Sequence, residues 1–266
     1  MKLEPHWRVL TIGDGDLSFS ESLITHKGVT QLTASVLDSE QVLTNKYEAN
    51  STHSLSGINV LYEFDVTKPE SWPAAFNKVK QSFDVVIFQF PLVPSDITST
   101  LHQQGVDANI ANRWLLRQFL LNCQTYFWSA TGARLAYISS KDVKPYIHWD
   151  IEHSLTVNST LEYLGKTPFN SDDFPGYRIR NVDRDKKVKG TLGHTYVYSD
   201  MPEKHHELAL IQLPNENSLY CSLCKQGPFL CENDVQAHQQ GKRHQQLEKY
   251  DRNWQQFLLA QEKPTL

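Results

Sequence analysis

Apolar, β-branched runs alternate with stretches of helical periodicity over the first two-thirds of the chain. Residues 8–12, 32–37, 58–64, 83–90 and 134–138 read as strands, and 18–24, 40–47, 70–79 and 108–127 as helices. The run at 83–90 is almost continuously apolar, as expected of a strand covered on both faces. Within 108–127, Ile110, Trp114, Leu115, Phe119 and Leu120 recur at helical spacing. This order predicts βαβ units with right-handed crossovers, a Rossmann-like α/β sheet with helices on both faces. Residues 161–169 and 194–198 supply the last strands, and 209–213 can complete the sheet edge.

The pattern divides the chain into a main domain over 1–200, a linker over 201–217 containing Pro202 and Pro214, and a small module over 218–262. The module's tail, 245–261, places Leu247, Tyr250, Trp254, Phe257 and Leu258 at helical spacing. That helix should pack on the module or on the main domain. Residues 170–193 form the most basic stretch of the main domain. Arg178, Arg180, Arg184, Lys186, Lys187 and Lys189 stand there against Asp183 and Asp185. A solvated loop and an RNA-facing surface are equally weighted readings of such a run.

A formal net charge of −4 over 266 residues argues against a surface that clamps nucleic acid everywhere, and leaves room for local basic patches. No apolar run reaches the length of a membrane span, and residues 1–6 lack the apolar core of a secretion signal. The expected location is cytoplasmic, or nucleolar in a eukaryote. Three of the four cysteines, Cys221, Cys224 and Cys231, cluster near two histidines. This clustering points to a metal site rather than a disulfide framework.

The string Gly13-Asp14-Gly15-Asp16-Leu17-Ser18-Phe19 follows the first strand and opens a helix. Glycines there permit positive φ and close approach of a ligand to the backbone. A dinucleotide fingerprint needs a third glycine where this chain has Ser18. A cofactor without a pyrophosphate, such as S-adenosylmethionine, needs fewer glycines. Asp38 after the second strand is placed to accept both ribose hydroxyls, and Asp65 after the third to face the adenine amino group. Each could instead be a helix cap. The three features in register favour the cofactor reading, with Gly13, Asp14, Gly15, Asp38 and Asp65 as its residues. Asp14 and Asp16 also lie where a general base could act, and Asp16 could equally cap the helix.

In the C-terminal module, Cys221-Ser222-Leu223-Cys224 is followed by thirteen residues, then His238, then His244 after five more. Two thiolates on a knuckle and two imidazoles on a helix suit tetrahedral zinc. The long histidine spacing implies a kink or an irregular turn at Gly241. Cys231 is a competing ligand only if its loop rearranges, and reads more simply as a small buried residue.

The chain resembles the eukaryotic large-subunit rRNA uridine-N3 methyltransferases. The resemblance runs from residue 7 to 198 through the Gly13–Ser20 string, Asp38-Ser39 with Tyr47, Phe64-Asp65-Val66-Thr67 and Phe83-Asp84. It continues through Phe90-Pro91, Asn109-Ile110 with Asn112, Pro145-Tyr146 with Trp149, Phe174-Pro175-Gly176-Tyr177-Arg178 and Thr195-Tyr196-Val197. It implies a class I methyltransferase sheet, S-adenosylmethionine as cofactor, and methyl transfer to a uridine N3 in RNA, with rRNA as partner. In many methyltransferases the end of the fourth strand carries a polar residue and then an aromatic or proline against the target base. Here those positions are Gln89, Phe90 and Pro91. The family usually shows Asn-Phe-Pro-His there, so Gln89 keeps the amide with longer reach, and Leu92 replaces the histidine. The glycine-rich loop that usually follows is rewritten over 94–100. The string from His238 to His244, with Gly241 and Lys242, resembles matrin-type RNA-binding zinc fingers. That implies RNA contacts from Lys242 and Arg243, beside those suggested for Arg178 and Arg180. A second reading stays open, a non-enzymatic RNA-binding or scaffold protein that kept the fold. Gln89 and Leu92 favour it, whereas Gly13, Gly15, Asp38 and Asp65 favour the enzyme.

Overall fold

The computed structural model describes residues 1–47, 58–180, 192–214 and 219–261. Asp183, Arg184, Asp185, Lys186, Lys187 and Lys189 of the basic stretch lie outside the described residues, as do 215–217 of the linker and the two end positions of the module, 218 and 262.

Seven strands form one sheet: β1 (Arg8–Ile12), β2 (Gln31–Ser35), β3 (Asn59–Leu61), β4 (Val85–Gln89), β5 (Leu135–Lys141), β6 (Glu162–Phe169) and β7 (Gly193–Ser199). Their order is β3-β2-β1-β4-β5-β7-β6. The pairs from β3 to β5 are parallel, and β7 runs antiparallel between β5 and β6. This is the Rossmann-like class I methyltransferase sheet. The order reverses at β1, which has β2 on one side and β4 on the other, and the crevice at such a switch point is where open α/β sheets take ligands.

The apolar run in β4 is explained by cover on both faces. Val86 and Phe88 join Phe119, Phe127 and Trp128 in one cluster, while Val85 and Ile87 join Phe19, Leu23 and Val36 in the other. Cover comes from α1 (Ser18–Lys27), α2 (Glu40–Lys46), α4 (Ala108–Asn122) and α5 (Ile151–Ser154), while α3 (Ser95–Gln103) has no buried residue and lies against α4. The last two helices, α6 (Glu232–Gln239) and α7 (Lys242–Gln261), form the C-terminal module.

Several expectations change. The helix expected over 70–79 is two 3₁₀ turns, Pro69–Ser71 and Ala74–Lys78, with Trp72 extended between them. Pro73 explains the break, since proline disfavours helical backbone in the residue before it. The helix expected to reach Phe127 is α-helical only to Asn122 and continues as a π-type turn, Cys123–Phe127. The strand expected at 209–213 is a single antiparallel bridge, Ile211 to Lys166 on β6, closed by N–H···O bonds of 2.7 and 3.0 Å. The C-terminal helix packs on the main domain: Trp254 and Leu258 are buried with Ile110 of α4. Among the described residues, no helix is long and apolar enough to cross a membrane.

Candidate functional site

A cavity of about 790 Å³ opens at the C-terminal edge of β1, β2 and β4, lined by the glycine turn, Asp38, Asp65, Gln89, Phe90 and Pro91. Gly13 has φ +61°, and a Cβ there would sit 3.0 Å from the Phe88 ring. At Gly15 a Cβ would sit 2.9 Å from the Tyr47 hydroxyl. The floor of the cavity therefore stays bare backbone only with glycine at both positions.

The two acids of the turn face inward to tie α1 down. Asp14 accepts from the Ser20 N–H at 2.7 Å, and burial pushes its carboxyl up to about 7 against the pull of that bond. Asp16 accepts from the Ser18 N–H at 3.1 Å and from its hydroxyl at 2.6 Å. Its other oxygen pairs with Arg180 Nε at 2.6 Å, and the Arg180 guanidinium lies over the Tyr47 ring at 5.2 Å. Arg180, expected on an RNA surface, lines the cavity and forms an ion pair that closes the glycine turn. Arg178 is exposed at the cavity rim, with its N–H donated to the Ser18 hydroxyl.

The helix-cap alternative divides the other two acids. Ser39, not Asp38, caps α2 by accepting from the Val42 N–H at 3.3 Å. Asp38 lines the cavity with one oxygen 3.0 Å from Lys46 Nζ. Asp65 does cap its turn. It accepts from the Thr67 N–H at 2.9 Å and hydroxyl at 2.6 Å, with Lys68 at 3.2 Å, while still lining the cavity. Burial alone would raise its pKa, but the Thr67 bonds and Lys68 outweigh it and hold the carboxyl below the ordinary range.

Gln89 ends β4 with both atoms of its amide buried and, among the described residues, without a hydrogen-bond partner. Leaving such a group unsatisfied costs about 1–3 kcal/mol, which a bound polar ligand would remove. Phe90 adopts φ +47°, and its ring meets Phe169 edge-on at 4.9 Å. Pro91 is buried, and Leu92 packs on the core. The segment is fixed from α4, where Asn112 accepts from the Val93 N–H at 3.0 Å. Two cavity cations, Lys46 and Lys141, were not singled out from the sequence. The only local sign of Lys141 is a charge closing an apolar strand.

The family profile for rRNA (uridine-N3-)-methyltransferase BTM5-like proteins matches residues 10–181, the segment that builds this cavity. The chain belongs to the BMT5-like family. Heavy metal-associated isoprenylated plant protein 41 of Arabidopsis thaliana is 27% identical over 182 residues, covering 66% of this chain and 33% of that protein. The chain thus spans about a third of the length of this relative. Among solved structures, an antibiotic-related methyltransferase is 13% identical (TM-score 0.41, covering 75% of this chain and 94% of that one). A 16S rRNA (adenine(1408)-N(1))-methyltransferase from Catenulisporales acidiphilia is 8% identical (TM-score 0.38, 75% and 92%).

Beyond the matched segment, this BMT5-like chain brings Cys221, Cys224, His238 and His244 together, their ligand atoms all within 4.8 Å of one another. His244 Nδ1 lies 3.4 Å from Cys221 Sγ and 3.6 Å from Cys224 Sγ. His238 Nε2 is buried and, among the described residues, has no protein partner. Burial and the neighbouring Cys221 push the Cys224 thiol up to about 12, so a pair of thiolates here calls for a cation. The donor set fits zinc. The histidines sit on two helices rather than one, because α6 stops at Gln239 and α7 starts at Lys242, with Gly241 between. Cys231 is exposed at the start of α6 and outside the cluster, contrary to the expected burial. Lys242 is exposed, and exposed Arg243 reaches back to the Cys224 carbonyl at 3.4 Å.

Proposed function

We propose that this protein methylates N3 of a uridine in RNA, with rRNA as the substrate class and S-adenosylmethionine as donor. Family membership supports the reaction class. The observation that carries the reading at the site is the orphaned Gln89 amide beside the bare glycine floor. Gly13 and Gly15 would leave room for the cofactor over the backbone, with Asp38 on its ribose and Asp65 toward its adenine. S-adenosylmethionine, when bound, supplies an electrophilic methyl group. The residues of the chain then have mainly to bring a flat base to that group and hold it there.

Gln89 offers one donor and one acceptor, which suits the carbonyl-rich edge of uracil, and Phe90 offers a ring against the base. Leu92 contributes packing only, so proton transfer falls to another residue. In the same reading the Cys221, Cys224, His238 and His244 cluster holds one zinc ion. Lys242, Arg243 and exposed Arg178 contact RNA phosphates, and the module raises the local concentration of substrate.

Calorimetric titration with S-adenosylmethionine and S-adenosylhomocysteine tests this reading against a scaffold that keeps only the fold. Wild type and Gln89→Ala should bind both alike, while Gln89→Ala loses methyl transfer to RNA. A wild-type protein that binds neither cofactor would contradict the proposal.

A further inference from the structure

The N3 of uracil carries a proton that has to leave as the methyl group arrives. Four acids of the cavity are poorly placed to take it: Asp14 is tied to the Ser20 N–H, Asp16 to Ser18 and Arg180, Asp38 to Lys46, and Asp65 to Thr67, while the fifth, Asp96, is exposed on the α3 wall.

Lys141 is differently situated. It closes β5, the strand beside β4, and Gln89 is in register with Ser139. Lys141, two residues further, lies on the same face as Ser139. It lines the same cavity as Gln89 and Phe90, with its Nζ 5.2 Å from the centre of the Tyr146 ring, which lines it too. Opposite Lys141 on β7 stands Gly193, where a Cβ would lie 3.5 Å from the Phe90 ring and 2.5 Å from the Ser140 carbonyl. Phe90 and Lys141 thus flank one bare strand position. Among the described residues no carboxylate pairs with Lys141.

The charges around it are matched elsewhere. Asp142, just after β5, and His194 on β7 lie 2.9 Å apart. Across the cavity Asp16 faces Arg180 and Asp38 faces Lys46. Tyr146 presents its ring, Lys144 stands on the following turn, and Asp96 lines the α3 wall. Burial holds the Lys141 ammonium below the ordinary lysine range, which enlarges the fraction of free amine near neutral pH.

We propose that Lys141 is the catalytic base that takes the N3 proton of the target uracil. The inference rests on the uridine-N3 reading above. The neutral amine accepts the N3 proton and becomes an ammonium. The N3 electron pair forms the new bond to the methyl group of the sulfonium donor, whose C–S bond breaks with its electrons left on sulfur. The ammonium stays beside the uracil carbonyl oxygens, where negative charge develops, and later releases its proton to water.

The test compares wild type, Lys141→Gln and Lys141→Arg on an RNA oligonucleotide carrying the uridine that the wild type methylates. A second oligonucleotide has 5-fluorouridine at that position, whose N3 is more acidic. Equal cofactor affinity in all three proteins shows that the fold is intact. Both variants should lose roughly 100-fold or more in transfer to uridine, the usual range for a positioned base. The wild-type rate should rise with pH and level off as the lysine becomes neutral, whereas the variants should follow ionisation of N3 itself. The fluorinated RNA should restore most of the lost rate in both. Fluorine NMR of the bound 5-fluorouridine gives a readout apart from turnover. Lys141→Arg should still lower the apparent pKa of the base, and Lys141→Gln should not. A Lys141→Gln protein with the wild-type rate and pH profile on uridine would overturn the proposal. So would a fully active Lys141→Arg, since a guanidinium stabilises charge but accepts no proton. Failure of the underlying reading is distinct, because wild type itself would then give no 3-methyluridine.

Discussion

Replacing Trp254 tests whether the C-terminal helix is part of the main domain. Its side chain is fully buried, with 0% relative exposure, and stacks on Phe257 at 5.8 Å with 16° between the rings. Phe257 in turn meets Trp114 of α4 edge-on at 5.4 Å, and the Trp254 indole N–H donates to the Ser154 carbonyl at 2.9 Å. Trp254→Ala should cost about 3–5 kcal/mol through lost burial and the cavity left behind. That is a large share of the roughly 5–15 kcal/mol by which a domain is stable. Trp254→Phe keeps most of the ring and loses the donor, so it should cost only about 1–2 kcal/mol. Urea unfolding at constant m-value gives the two differences, and hydrogen exchange across α7 locates them. Trp114 also lines the cavity, so Trp254→Ala should weaken RNA methylation more than cofactor binding. A loss under about 0.5 kcal/mol, the size of an ordinary surface change, with unchanged exchange in α7, would refute the docked helix.

Three further outcomes follow from the site. Asp38→Ala should weaken S-adenosylmethionine binding by about tenfold to a hundredfold, the value of a charge-assisted contact, and equal calorimetric affinities would remove Asp38 from the cofactor site. Elemental analysis should give one zinc per chain and none in Cys224→Ser, with the seven-stranded sheet still folded by circular dichroism. Full occupancy in that variant would contradict the ligand set. Neutralising Lys242 and Arg243 together should lower the slope of log affinity against log salt by about 2 in filter-binding titrations, at unchanged cofactor affinity. An unchanged slope would place the RNA elsewhere.

The glycine turn and the acids that line the cavity were legible because their cues are local. A glycine turn after a strand and acids after the next two strands stand in the order in which the sheet lays them side by side. What was hidden depends on partners far away in sequence. Arg180 looks like one cation in a basic run until the fold brings it to Asp16, 164 positions earlier. Trp254 finds Ser154 across 100 positions. The α3 helix is short, with no buried residue and only Ile97 and Leu101 at helical spacing, and Pro73 divided a segment whose composition suited a helix. The orphaned state of the Gln89 amide is likewise a property of its surroundings. It takes the packed ends of β4 and β5 to show that nothing in the described chain answers it.

Methyl transfer to a uridine N3 is open to direct measurement. Purified protein is incubated with S-adenosylmethionine carrying a heavy-isotope methyl group and with rRNA lacking the modification. The RNA is then digested to nucleosides for mass spectrometry. Labelled 3-methyluridine is expected with wild type, and its near absence with Gln89→Ala. Label on another nucleoside, or none on RNA despite measurable cofactor binding, would contradict transfer to uridine N3.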